Sequence, residues 1–338
     1  MYYEVILDRL AVDEPFYHFL KYAYKQNAEE QIKRFIQRNK TNNICMWQIN
    51  NESFKEAIKL SGIFTDFSLF KKYISDLLPG SFGIWYRFKL NSPYYSHDDE
   101  SLYILEPIMK EKVWQVPIFR ASSWKGVFLK AACKKLNEYV ESEDYAQVIE
   151  HFIKIGRIFG TGSREFREVE EKIIKSGDKQ TIITKLIMYS LKELGLNLMF
   201  VKNDKSIARQ FLEQLKAYFT VRRGRAIFYP TYFNKLTLEV INPHNRRTKA
   251  GEKPIYYEVV PKDTEGIFQL IYIPYDLVPC SMRVIKVQTD SDIHFLKLLL
   301  KDVLEEYGIG AKEKLGWGLA SVDNTQIKSF SNLEGRRV

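Results

Sequence analysis

The chain has 338 residues, 45% of them apolar, so it can bury a sizeable core and is not a disordered polyelectrolyte. Lysine and arginine outnumber aspartate and glutamate by 51 to 42, a formal charge of +9 that favours an anionic partner, with nucleic acid first among the candidates. Three scattered cysteines (Cys45, Cys133, Cys280) and five histidines without metal-ligand spacing exclude a zinc or disulfide framework, and neither a secretory signal nor a membrane-length apolar run is visible, so a soluble, cytoplasmic protein with no cofactor is expected.

In chain order, the first 78 residues read as a helical extension. Glu14–Arg38 and Glu52–Leu78 are rich in helix formers of mixed charge, and Leu78-Pro79-Gly80 breaks the run. Ser81–Leu90 alternates Phe82, Ile84, Tyr86, Phe88 and Leu90 against Trp85, Arg87 and Lys89, the period of a strand. Its apolar face should pack on helices. Its basic, aromatic face either holds RNA by stacking and charge or is an ordinary exposed sheet face. A polar loop with His97, Asp98 and Asp99 follows, and Val113–Arg120 leads into a helix from Ser123 to about Leu136. Ser122 or Ser123 is its natural N-cap, and Trp124, Val127, Phe128, Ala131 and Ala132 form its buried stripe, with Cys133 as a small apolar residue beside them. Residues 155–164, IGRIFGTGSR, read as a glycine-containing basic loop carrying Arg157 and Arg164, and 165–218 as a helical insertion.

From Gly224 the pattern turns to strands: Arg225–Tyr229, Leu236–Ile241, Ile255–Val260, and Ile267–Ile273, which is apolar on both faces and therefore central. Residues 242–254 carry Arg246, Arg247, Lys249 and Lys253 with Ala250 as the only apolar side chain, which suits a long basic hairpin loop. Asp290–Tyr307 reads as a helix capped by Asp290 or Ser291, buried along Ile293, Leu296, Leu300, Val303 and Tyr307. Leu315–Val322 should close as a strand. Without the insertions the order is strand, helix, strand, strand, helix, strand: an α+β, ferredoxin-like (RRM-like) antiparallel sheet with helical insertions and an N-terminal helical extension. The domain limits expected are 1–78 for the extension, 79–325 for the main domain and 326–338 for a tail.

Two segments carry the chemistry. Between the last helix and strand, YGIGAKEKLGWG (307–318) places Gly308, Gly310, Gly316 and Gly318 around Lys312 and Lys314. Glycine permits close backbone approach, and the lysines suit an anion; a tight helix-to-strand connection would need only one or two of the glycines. Ser122, Ser123, Lys125 and Gly126 open the first helix, whose free N–H groups and partial positive charge favour a phosphate. No Walker-type or dinucleotide-binding glycine pattern occurs.

Taken in order, PIFRASSWKG (117–126), RIFGTGS (157–163), GRAIFYP (224–230) and GIGAKEKLGWG (308–318) resemble the RAMP superfamily, the repeat-associated RNA-binding subunits of CRISPR effector complexes, especially type III (Cmr and Csm) assemblies. The resemblance spans roughly residues 80 to 323. It implies a guide-RNA-binding structural subunit in antiviral defence, partnered by guide RNA, target RNA and other type III subunits. Ser122, Ser123, Lys125 and Gly126 match the helix start that holds the RNA backbone, the four glycines and two lysines match the glycine-rich loop, Arg157 and Arg164 lie in the FGTG segment, and Arg246, Arg247 and Lys249 fall where such subunits carry a hairpin thumb. The INPH start of that hairpin and the extra N-terminal helices are closest to the capping subunit of Cmr complexes.

The same resemblance leaves an enzyme open. Some members cut target RNA with an aspartate in the loop after the first strand, aided by Mg²⁺; Asp98 and Asp99 occupy that loop, and a solvated acidic loop is the favoured reading of the pair. A repeat-processing endoribonuclease would need a histidine base, for which His18 is the only candidate. A protein-interaction scaffold is the third alternative.

Overall fold

The computed structural model describes residues 46–98, 106–142, 144–162, 223–242 and 255–333, together with Arg164 and Glu168. The expected Glu14–Arg38 helix, the bulk of the 165–218 insertion and residues 243–254 of the basic hairpin lie outside them.

Strand β1 (Met46–Gln48) leads into α1 (Asn51–Leu60) and α2 (Phe67–Ser75). The helix formers of Glu52–Leu78 thus fold as two helices. Asn50 and Asp66 each start a helix by accepting a hydrogen bond from a first-turn N–H, and the chain reverses at Gly62, φ +70°.

The main sheet contains β2 (Phe82–Lys89), β4 (Ala226–Phe228), β8 (Glu265–Tyr272) and β9 (Lys328–Ser331), in the order β4-β8-β2-β9 with every neighbouring pair antiparallel. β8 is interior, as its two apolar faces require. The fourth strand is not Leu315–Val322. That stretch forms a 3₁₀ turn (Glu313–Leu315) and a single bridge from Ala320 to Leu90. Gly316 (φ +73°) and Gly318 (φ +76°) adopt left-handed angles that a strand cannot accommodate, so the sheet edge is supplied instead by β9, from residues assigned by sequence to the tail. Asn332, just beyond β9, accepts the Gly80 N–H (2.9 Å) and donates to the carbonyls of Leu77 and Leu78, tying the chain end to the Leu78-Pro79-Gly80 break.

Two long helices, α3 (Ala121–Glu141) and α5 (Met282–Asp302), bury their apolar sides against one face of the sheet. Trp124 packs edge-on to Phe88 and Phe268, and Phe128 stacks on Phe268 at 5.3 Å. α3 begins two residues before the expected start, with Arg120 as N-cap, so Ser122 and Ser123 sit inside its first turn and neither caps it. α5 begins at Met282 rather than near Asp290, because its first two turns bury Ile285 together with polar Gln288 and Thr289, which hides the apolar period. After Asp302 it widens into a π-turn, Val303–Tyr307. Helix α4 (Tyr145–Phe159) absorbs the first half of the segment expected as a basic loop: Ile155, Ile158 and Phe159 are core residues, and the chain leaves the helix only at Gly160, φ +86°.

The opposite face of the sheet is not an open platform. α2 lays Phe70 and Ile74 over Trp85, Ile271 and Phe330, leaving Trp85 6% exposed. Gly83 is the slot that admits Phe70, since a Cβ there would strike its ring. Farther along β2, Arg87 and Lys89 face Glu265 (3.4 Å) and Asp263 (3.1 Å). This corrects the RNA-stacking alternative for the Trp85 face: the ring is covered and the charges have partners.

Two smaller sheets complete the described residues. β1, β6 (Lys235–Ile241) and β7 (Ile255–Val259) form one, in the order β1-β6-β7; β3 (Ile118–Phe119) and β5 (Thr231–Tyr232) form the other. β6 and β7 pair antiparallel up to Ile241–Ile255, so the strands flanking the basic 242–254 segment are joined as a hairpin.

Candidate nucleic-acid interface

The glycine loop is locked by its own chain. Ile309 N–H donates to the Gly318 carbonyl (2.9 Å), Ala311 N–H to Tyr95 (2.7 Å), Gly318 N–H to Pro93 (2.7 Å) and Gly308 N–H to Val303 (2.8 Å). Gly308, Gly310 and Gly318 have φ of +73°, +90° and +76°, and a Cβ on them would collide with the carbonyls of Trp317, Tyr95 and Ile309 respectively. The close backbone approach signalled by these three glycines is therefore met inside the molecule. Gly316 differs: its nearest neighbour to a Cβ is the Leu319 side chain at 3.8 Å.

The tip of the loop faces outward. Lys312, Glu313, Lys314 and Leu315 are exposed, Leu315 to 57%. Lys312 adopts a left-handed conformation (φ +67°) and sets its ammonium 4.8 Å from the centre of the Tyr257 ring, a cation–π contact. Trp317 packs edge-on to Tyr95 and Tyr257 beneath the tip.

The first helix meets this loop directly. Lys130 of α3 pairs with Glu313 at 2.8 Å, and Lys134 lies 4.9 Å from the Tyr307 ring. Gly126 is one turn before Lys130 and Ser123 nearly two turns before it, so all three share a side of α3. Nothing lies within 4 Å of where a Gly126 Cβ would be. A glycine inside a helix costs about 0.5–1 kcal/mol against alanine, and the fold offers no reason for this one. Ser122 and Lys125 are exposed beside it, and the neighbouring protein surface strips some water from the Lys125 ammonium and so pushes its pKa down. The structure thus brings Ser123, Gly126 and the Lys312–Leu315 tip to one side of α3.

Other residues singled out by sequence fall elsewhere. Arg157 was expected on a loop; it is buried in α4, and its guanidinium holds the Asp292 carboxylate through Nε at 2.9 Å. Asp292 also accepts the Tyr272 hydroxyl (2.7 Å), which in turn accepts from Arg225, and Arg225 pairs with Asp276. Two arginines and two aspartates balance there, which is how a buried cation is tolerated. Arg164 is exposed and paired with Glu168 at 2.8 Å. Gly162 has open space around it, like Gly126. Arg246, Arg247 and Lys249 lie outside the described residues, as does Asp99.

Asp98 donates its N–H to the Pro107 carbonyl. Its neighbour His97 shares Nδ1 with the Tyr95 hydroxyl (2.9 Å) and the Glu106 carboxylate (3.4 Å). Burial, then the nearby Glu106 charge, raises the Tyr95 pKa. Among the described residues no three His, Cys, Asp or Glu side chains converge as a metal site.

Sequence reading missed Tyr95, whose carbonyl anchors the loop and whose ring supports Trp317, and the Lys130–Glu313 pair. Nothing local pointed to either: each is a contact between segments far apart in sequence.

The sheet, its paired helices and the loop docked on α3 define an α+β protein with a basic loop-and-helix surface. The RAMP superfamily model matches residues 87–321, and the chain belongs to that family. No curated protein matches the sequence. Among solved structures the chain is similar to a cryo-EM structure of the Type III-B Cmr-beta bound to cognate target RNA, with 12% identity and a TM-score of 0.42 over 91% of this chain and 78% of that one. It is also similar to Cmr6 from Pyrococcus furiosus, with 17% identity and a TM-score of 0.31 over 72% of this chain and 99% of that one. Among the described residues no helix is long and apolar enough to cross a membrane.

Proposed function

We propose that the chain is a guide-RNA-binding structural subunit of a type III CRISPR effector complex, acting with other subunits against invading nucleic acid. The observation that carries this reading is the Lys130–Glu313 contact, which sets Lys312 and Lys314 on the side of α3 bearing Ser123 and Gly126. The open helix glycine gives a sugar–phosphate backbone room to lie against α3, and the lysines neutralise its charge without reading sequence. The ferredoxin-like reading is supported by the sheet order: taken in chain order, β2, β4, β8 and β9 are arranged fourth, first, third, second, with α3 and α5 in the two crossovers. The pairing of β6 with β7 supports a thumb-like hairpin carrying Arg246, Arg247 and Lys249.

Changing Lys312 and Lys314 together to Glu should weaken guide-RNA binding across sequences and lower the slope of log K against log salt by about 1–2, since each lost phosphate contact removes ~0.7–0.9. Filter binding at two salt concentrations measures both, and unchanged binding would overturn the proposal.

A second reading, cleavage of target RNA, is favoured by one feature: Asp98 belongs to the same segment whose Pro93 and Tyr95 carbonyls anchor the glycine loop. With Mg²⁺ supplied, a purified complex carrying Asp98→Ala and Asp99→Ala should then lose cleavage of a complementary RNA; retained cleavage rejects this reading.

A further inference from the structure

On the face of the sheet that α2 covers, a cleft of about 810 Å³ opens between α1, the 62–65 turn and the ends of β2 and β8. One side of α1 lines it with Asn51, Phe54, Lys55, Ile58 and Lys59, the spacing of a single helical face. The floor is apolar: Ile58 and Ile63 are buried, and Phe54 and Ile267 are partly so. The rim is basic. Lys55 and Lys59 sit one turn apart and repel each other, and Arg87, besides lying 5.9 Å from the Trp85 ring, has Glu265 as an exposed partner at 3.4 Å and the Thr65 carbonyl at the same distance. Three cations against one carboxylate call for an anionic occupant. Leu69, 57% exposed, belongs to the cleft lining, and Tyr73, 44% exposed, packs beside lining residue Phe64.

The apolar floor favours an acidic protein segment over a nucleic acid as the anion. Stacked bases need open aromatic faces. Here the Phe64 ring is packed 5.5 Å from both Phe70 and Tyr73, and Tyr232 is buried with its hydroxyl bonded to Ser61. What remains accessible is a floor of Phe54 and the edges of Ile58, Ile63 and Ile267, suited to leucine-like side chains, ringed by ammonium and guanidinium groups suited to carboxylates. We propose that this cleft docks an acidic amphipathic segment of a partner protein, its apolar side chains on Phe54, Ile58 and Ile63 and its carboxylates on Lys55, Lys59 and Arg87. The cleft lies on the opposite side of the sheet from α3 and its glycine loop, so this docking is independent of the proposed RNA surface.

The test is fluorescence anisotropy on the full chain. The probe is a fluorescein-labelled synthetic helix with leucines at i, i+3, i+4 and i+7 and glutamates between them; the controls are the same helix with lysines for glutamates and an oligouridylate. The acidic helix should bind, and Lys55→Glu with Lys59→Glu should weaken it about tenfold, the equivalent of ~1.4 kcal/mol. Both residues are exposed, so the fold should survive the change, and guide-RNA binding should not move. Leu69→Ser, also at an exposed position, should weaken the same probe. The proposal is overturned if the acidic helix binds no better than its lysine control, or if the double change leaves its affinity within twofold. It is equally overturned if oligouridylate displaces the helix and itself loses affinity in the double variant, which would make the cleft a nucleic-acid site.

Discussion

Glycines that look alike in the sequence serve different masters in the structure. Gly310→Ala would force a left-handed angle on alanine, about 1–3 kcal/mol, and drive its methyl into the Tyr95 carbonyl, so the variant should melt well below the wild type. Gly126→Ala should do the reverse, raising stability by about 0.5–1 kcal/mol while lowering RNA affinity; denaturant midpoints and filter binding separate the two effects. That lysines among glycines favour an anion could be read directly from residues 307–318. Which glycines answer to the chain and which face outward could not, because it depends on how the loop folds back on itself at Ile309 and Trp317 and, for Gly310, on Tyr95, more than two hundred residues away in sequence. A different residue-scale effect concerns His151, whose Nδ1 bonds the Gln147 carbonyl (3.0 Å) and whose ring packs on Tyr139 and Phe295. Burial, reinforced by Lys154 and Lys135 and opposed by Gln147 and Glu150, holds its pKa below the usual histidine value. The unfolded chain therefore takes up the proton first as pH falls. Stability should drop as pH passes below about 6.5 and level off below the folded-state pKa. His151→Gln should flatten that part of a urea-midpoint profile relative to wild type.

At the scale of elements, α2 is the piece that changes what the sheet can do. Phe70→Ala should cost about 3–5 kcal/mol and expose Trp85, which a red-shifted tryptophan emission would report; an unshifted spectrum would mean the ring is not covered as described. Strand β2 was readable because its period of two persists over ten residues, and β8 because both of its faces are apolar. The covering of Trp85 was not readable, since a basic, aromatic strand face looks the same whether solvent or a helix lies over it. The last strand was misplaced for a related reason: Leu315–Val322 has strand-forming residues, but its glycines take left-handed angles, and the edge passes to Lys328–Ser331, a short polar run without a clear period. The early start of α5 was hidden by buried Gln288 and Thr289.

For the whole molecule, the 51 lysines and arginines behind the net charge of +9 serve unlike tasks. Arg157 and Arg225 are neutralised in the core by Asp292 and Asp276. Lys312 and Lys314 stand at the loop tip, and Lys55, Lys59 and Arg87 ring a cleft on the other side of the sheet. Net charge alone could not have made this division. The glycine loop adds a consequence of its own. Its ends are cross-tied by the chain's own backbone hydrogen bonds, which need no ligand atom, so RNA would meet a finished mould. Little ordering entropy is then left to be lost on binding. The part that can vary is confined to Lys312–Leu315, an exchangeable crown on a fixed collar, where charge and shape can be altered without asking the collar to refold.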